Sequence, residues 1–194
     1  MNQRTITPIL LLAGVVLLTS VPKAHALDQA AARRIAETYL SLYPGDDIQN
    51  DFRLVHVQPV DLDGDGIEEI LYAETATCIG ANFDCTNGIR VLTLNKSGAR
   101  PGGYDKMHAD DKRAFATGYV PEGNAFIPGD IQRVRISNKT VNVDFEVRED
   151  SPICKRYVST TEGRQPTKHC PPTGKYHWNF VWRRGVGLTR VDQR

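Results

Sequence analysis

Two periods of apolar residues run along this chain, first that of a helix and then that of strands. Ala32, Ile35, Ala36, Tyr39, Leu40 and Tyr43 recur at i, i+3, i+4 and i+7, which puts them on one helical face. Asp28 stands where an N-cap is needed, and Pro44-Gly45 ends the run. A single apolar stripe needs a surface to pack on, and the segments that follow predict a sheet. Phe52–Val60, Glu69–Thr75 and Ile89–Leu94 read as strands, the second of them apolar on both faces. Ile131–Ser137 and Val141–Val147 predict a hairpin around Asn138-Lys139. Val141, Val143, Phe145 and Val147 alternate strictly with polar residues, as do Tyr176, Trp178, Phe180 and Trp182. The aromatic row reads as sheet core, with a solvent-facing carbohydrate platform as the other reading. Arg184-Gly185-Val186-Gly187 then turns the chain into a last strand, Leu188–Val191. Residues 98–130 are rich in Gly and Pro and predict a long loop, with a helical turn near Asp110–Phe115.

Ahead of the helix lies a different pattern. Arg4 precedes an apolar run from Ile9 to Leu18, and Ala24-His25-Ala26 follows it. A basic start, a short apolar stretch and an Ala-x-Ala exit are the three parts of a secretory signal peptide. The run is shorter than the about 20 residues that cross a membrane. The expected organisation is therefore a signal peptide over residues 1–26 and one globular domain over residues 27–194. The expected location is the periplasm, or the outside of the cell. An oxidising compartment gives weight to the even count of cysteines, Cys78, Cys85, Cys154 and Cys170. Two disulfides are expected, paired locally as Cys78–Cys85 and Cys154–Cys170, because each pair brackets a loop rich in turn residues. Zinc is disfavoured: no C-x-x-C occurs, and His169 beside Cys170 lacks partners at ligand spacing.

The segment richest in chemistry is Asp61-Leu62-Asp63-Gly64-Asp65-Gly66-Ile67-Glu68-Glu69. Carboxylates at loop positions 1, 3 and 5 point to one centre, and Gly66 at position 6 permits a sharp turn. The Ile67 carbonyl and Glu69 can complete the set. Hard Ca2+ takes six to eight oxygens in flexible geometry, and this spacing supplies them. The segment resembles the calcium loops of FG-GAP and VCBS-type repeats and, more distantly, those of EF-hands. Tyr72 stands where an EF-hand carries its bidentate Glu, and the flanks read as strands, so the FG-GAP-like version fits better. The resemblance covers the loop alone and implies an ion site, not a propeller. The full expectation is an α+β fold: an N-terminal helix packed on a mainly antiparallel β-sheet, a calcium-stabilised strand–loop–strand and two disulfides.

Function is less legible. The chain has no G-x-S-x-G, no H-E-x-x-H and no phosphate-binding glycine loop. His108 near Asp105, Asp110 and Asp111 is the best candidate for a hydrolytic centre, and Glu68, Glu69 and Glu74 are the candidate acid–base carboxylates. A net charge of +1 argues against a polybasic nucleic-acid binder. That near-neutrality hides a polarity. Residues 27–150 carry 13 Lys and Arg against 21 Asp and Glu, whereas residues 151–194 carry 9 against 2. A one-signed face steers an oppositely charged partner, and Arg156, Arg164, Lys168, Lys175, Arg183 and Arg184 are the residues expected to form one. The leading expectation is a non-catalytic periplasmic protein-binding module, an inhibitor or immunity protein against a toxin or cell-wall hydrolase. The alternatives are an envelope-associated hydrolase and a glycan- or cell-wall-binding module.

Overall fold

The computed structural model describes residues 26–42, 49–79, 87–148, 157–160, 163–166 and 171–191. Helix α1 spans Gln29–Leu40 and begins where Asp28 Oδ1 accepts from the N–H of Ala30 at 2.7 Å and of Ala31 at 3.2 Å. Those bonds satisfy two of the N–H groups that a helix start leaves without partners. Four strands then form one antiparallel sheet in the order β1 (Gln49–Val60), β2 (Glu69–Ile79), β3 (Asn87–Leu94) and β4 (Tyr119–Ile127). Between β3 and β4 lie a 3-10 turn at Tyr104–Lys106 and a short helix, α2, at Ala109–Phe115. A second antiparallel sheet comprises β5 (Asp130–Ser137), β6 (Thr140–Val147), β9 (Gly174–Arg183) and β10 (Gly187–Val191), in the order β10-β9-β6-β5. A separate two-stranded ribbon pairs β7 (Tyr157–Thr160) with β8 (Gly163–Pro166).

Helix, first sheet and second sheet stack as three layers with a core on each face of the first sheet. Ala32, Ala36 and Tyr39 of α1 pack against Val57, Ile70, Tyr72 and Leu92. On the opposite face Leu71, Ala73, Ile89 and Val91 meet Val141, Val143, Phe145, Phe180 and Trp182 of the second sheet. This explains why β2 is apolar on both sides: both its faces are covered. The aromatic row of β9 belongs to this inter-sheet core. Trp182 is buried and donates Nε1–H to the Glu122 carbonyl at 3.1 Å, and the Trp178 ring lies edge-on to Phe145 at 4.8 Å between centroids.

Gly129 joins the two sheets. A β-carbon there would stand 2.6 Å from the Glu146 carbonyl oxygen, so only glycine lets β5 start this close to β6.

Three expectations are corrected. The single sheet is two four-stranded sheets, while the helical turn expected near Asp110–Phe115 is the short helix α2. The long loop expected over residues 98–130 contains β4, an edge strand whose register shifts around Pro121 and Gly123. An edge tolerates proline because one side of the strand donates no ladder bonds. The two expected disulfides are not found: among the described residues no disulfide occurs. Cys85, Cys154 and Cys170 lie outside those residues, and Cys78 lies toward the far end of β2. Apolar burial joins the described layers.

Candidate metal centre

The loop from β1 to β2 is wound around its first aspartate. Asp61 Oδ1 accepts from the N–H of Gly64 at 2.6 Å and of Asp65 at 3.1 Å, and Oδ2 from that of Gly66 at 3.1 Å. Gly64 and Gly66 take φ of 85° and 84°, the left-handed region that side chains disfavour. Asp63 Oδ1 accepts from Asp65 N–H at 3.1 Å, and Asp65 Oδ1 from Ile67 N–H at 2.8 Å. Buried Leu62 pins the loop to the inter-sheet core. As a result one oxygen from each of Asp61, Asp63 and Asp65 lies within 4.8 Å of the others, an arrangement that can hold a metal ion. Oxygen-only donors of this kind suit a hard cation.

Glu69, expected as a further ligand, is fully buried and bonded elsewhere. Its Oε2 accepts from Leu62 N–H at 2.9 Å and its Oε1 from Arg184 at 3.1 Å. Burial pushes its carboxyl up to about 7, against the pull of the Leu62 N–H. Ile67, expected to offer its carbonyl, lies in the loop and spends its N–H on Asp65.

Cations from three distant segments close over the loop. Arg184, at the β9–β10 turn, reaches Asp63 Oδ2 at 3.2 Å, Asp65 Oδ2 at 3.3 Å and Thr93 Oγ1 at 2.6 Å. Its guanidinium also lies 3.7 Å from Glu122 Oε2. Lys96 bonds the same Asp65 oxygen, and that bond holds the Asp65 carboxyl below its usual range. The Lys139 ammonium, at the β5–β6 turn, occupies the place where a β-carbon on Gly64 would stand. Arg184, expected at a partner surface, is thus a partner of the acidic loop. Lys96 and Lys139 carried no sequence signal, because only the sheet topology brings them to residue 64 or 65.

The remaining candidates are dispersed. Lys175 and Arg183 are exposed on β9. Arg156 and Lys168 lie outside the described residues, and Arg164 is placed only as a position in β8. His108 sits at the N-cap of α2, while Asp110 pairs with Arg113. Glu68 Oε2 accepts from Leu27 N–H at 2.6 Å, and Glu74 Oε1 accepts from Arg90 Nε at 2.6 Å. Sequence reasoning missed one pairing on the second sheet. Asp144 accepts from Arg135 at 2.9 Å and contacts His177 Nδ1 at 2.6 Å, which holds its carboxyl below the usual range. Among the described residues no helix is long and apolar enough to cross a membrane. Compared with family models, curated proteins and solved structures, the chain matches none.

Proposed function

We propose that this chain is an exported calcium-binding protein that acts, without catalysis, by binding another protein. The convergence of Asp61, Asp63 and Asp65 carries the ion. Ca2+ suits it better than Mg2+, because a loop turning through two glycines offers irregular oxygen geometry and not a strict octahedron. The likeness to FG-GAP and VCBS-type loops points the same way. Calcium competes with Arg184 and Lys96 for the oxygens of Asp63 and Asp65, since a dication brings more charge to the same cluster. Thermal melting tests this reading. Millimolar Ca2+ raises the melting temperature, a chelator reverses the rise, and Asp63→Asn abolishes it, because a ligand that binds only the native state stabilises by mass action. A melting temperature unmoved by excess Ca2+ removes the ion from the account.

Export has its own support. Cleavage after Ala26 would turn the Leu27 nitrogen into the chain's α-ammonium, and that nitrogen already lies 2.6 Å from Glu68 Oε2. The hydrogen bond that the Leu27 amide donates to the carboxylate would then become an ion pair. The partner reading rests on Lys175 and Arg183, exposed at the two ends of β9, and on the β9–β10 tip beside Arg183, whose Val186 is 71% exposed. A toxin or cell-wall hydrolase with an acidic surface fits it, with this chain as inhibitor or immunity protein. Capture of such a protein from envelope extract, lost in Lys175→Glu/Arg183→Glu, is the expected result.

A further inference from the structure

Five residues along β2 from the acidic loop's end, Glu74 is 1% exposed. Its Oε1 is bonded to Arg90, but its Oε2 is buried with no hydrogen-bond partner. Buried polar atoms are almost always paired, so an orphaned one asks for a ligand or a use. Opposite Glu74, β3 carries Gly88. Glycine weakens a strand interior and marks places where something approaches the backbone closely. A β-carbon at Gly88 would stand 3.6 Å from Glu74 Oε1 and 3.3 Å from the Ala125 carbonyl oxygen. Without it, a cavity of about 200 Å³ opens, bounded among the described residues by Glu74, Gly88 and Arg90, with Asn124 and Phe126 also lining it. Phe126 is 37% exposed although it is a large apolar side chain.

We propose that this cavity binds one pyranose ring of a neutral sugar. The charges decide the class: Glu74 and Arg90 offset each other as an ion pair 2.6 Å apart, so the cavity favours neither an anion nor a cation, and a neutral ligand rich in hydroxyl groups fits it. Burial pushes the Glu74 carboxyl up while Arg90 pulls it down, and a carboxyl on the cavity wall accepts when ionised and donates when protonated. A hydroxyl serves either state, because it both donates and accepts. The volume suits one ring, since a cavity of roughly 150 Å³ holds benzene. Phe126 offers a flat apolar surface to the ring's C–H face, and Asn124 offers an amide that donates and accepts. The site is independent of the calcium reading, because it shares no residue with the acidic loop.

Saturation-transfer NMR on the full chain tests it. The probes are glucose and N-acetylglucosamine, each also as a trisaccharide, with propylammonium and propionate as charged controls. Transfer to a sugar is expected, with affinity falling roughly tenfold in Phe126→Ala and binding lost in Gly88→Ala, which fills the floor. Both variants are checked for wild-type melting. A trisaccharide that binds tighter than its monosaccharide marks a glycan chain as the source; equal binding marks the free sugar. No transfer to any sugar overturns the proposal. So does sugar binding unchanged in both variants, or binding of a charged control alone.

Discussion

Arg184 supplies positive charge to three carboxylates from a turn more than a hundred residues away. Its guanidinium is also bonded to Thr93, so it ties the tip of one sheet to the loop of the other. Replacing it with glutamine has two opposite effects. Without an ion, stability falls by about 1.5–3 kcal/mol, the usual worth of hydrogen bonds to a charged group. With Ca2+, affinity rises, because a unit charge about 4 Å from a dication costs about 2 kcal/mol even in a water-like dielectric, roughly a tenfold to thirtyfold change. Calorimetric titration and melting of Arg184→Gln measure both; weaker Ca2+ binding would assign the arginine to holding the loop in shape. The two loop glycines separate strain from crowding. Both take left-handed φ, so alanine at either costs about 1–2 kcal/mol. Gly66 has open space around it, whereas a β-carbon on Gly64 must displace Lys139. The atoms displaced are the end of a flexible side chain, so denaturant unfolding places Gly64→Ala close to Gly66→Ala.

Elements with one strict period were legible, and those that break their own period were not. The alternations Val141–Val147 and Tyr176–Trp182 became β6 and β9, and Asp28 caps α1 as its chemistry requires. Strand β4 escaped because Pro121 and Gly123 interrupt it, and its edge position, invisible in sequence, is what allows them. The same limit applies to the sites. D-x-D-x-D-G is local and legible, but its countercharges come from the tips of two hairpins and from Lys96. The Glu74–Arg90 pairing needs the β2–β3 register, which no local pattern gives. The start of α1 carries a prediction at this scale. Leu27 packs beside the helix core while its nitrogen meets Glu68. In protein exported and cleaved after Ala26, Glu68→Gln is expected to cost about 1 kcal/mol, in the range of a partly exposed ion pair. The same variant in chain retaining residues 1–26 loses less, since what is weakened there is an amide-to-carboxylate hydrogen bond and not an ion pair. Melting of both forms, with the mature N-terminus read by mass spectrometry, compares them.

At the scale of the whole molecule, burying both faces of the first sheet also buries groups that titrate near neutrality, and they act in opposite directions. Burial holds the His56 imidazole below 6.5, against the pull of a hydrogen bond that it donates to Gln58, and its Nε2 has no partner. A pKa lowered by folding means that the native state resists a proton the unfolded chain accepts. His56 therefore contributes stability above about pH 6.5 that is lost as the pH falls through that value toward its folded pKa. Glu74 and Glu69 are raised from 4.5, both chiefly by burial, Glu69 to about 7. Their contribution is complete below pH 4.5 and is lost as the pH rises through their folded values. Between pH 7.5 and 5 Glu69 thus stabilises the fold on acidification while His56 destabilises it, and the measured curve is their difference. Asp65 and Asp144 are lowered from 3.8 and change the balance only below that window. Substituting His56→Gln removes one of the two opposing slopes. In chelator, so that no ion occupies the loop, His56→Gln gains more stability than wild type as the pH falls from 7.5 to 5. Parallel curves for the two proteins would mean that water reaches His56 Nε2 freely and that burial there is too shallow to move its proton.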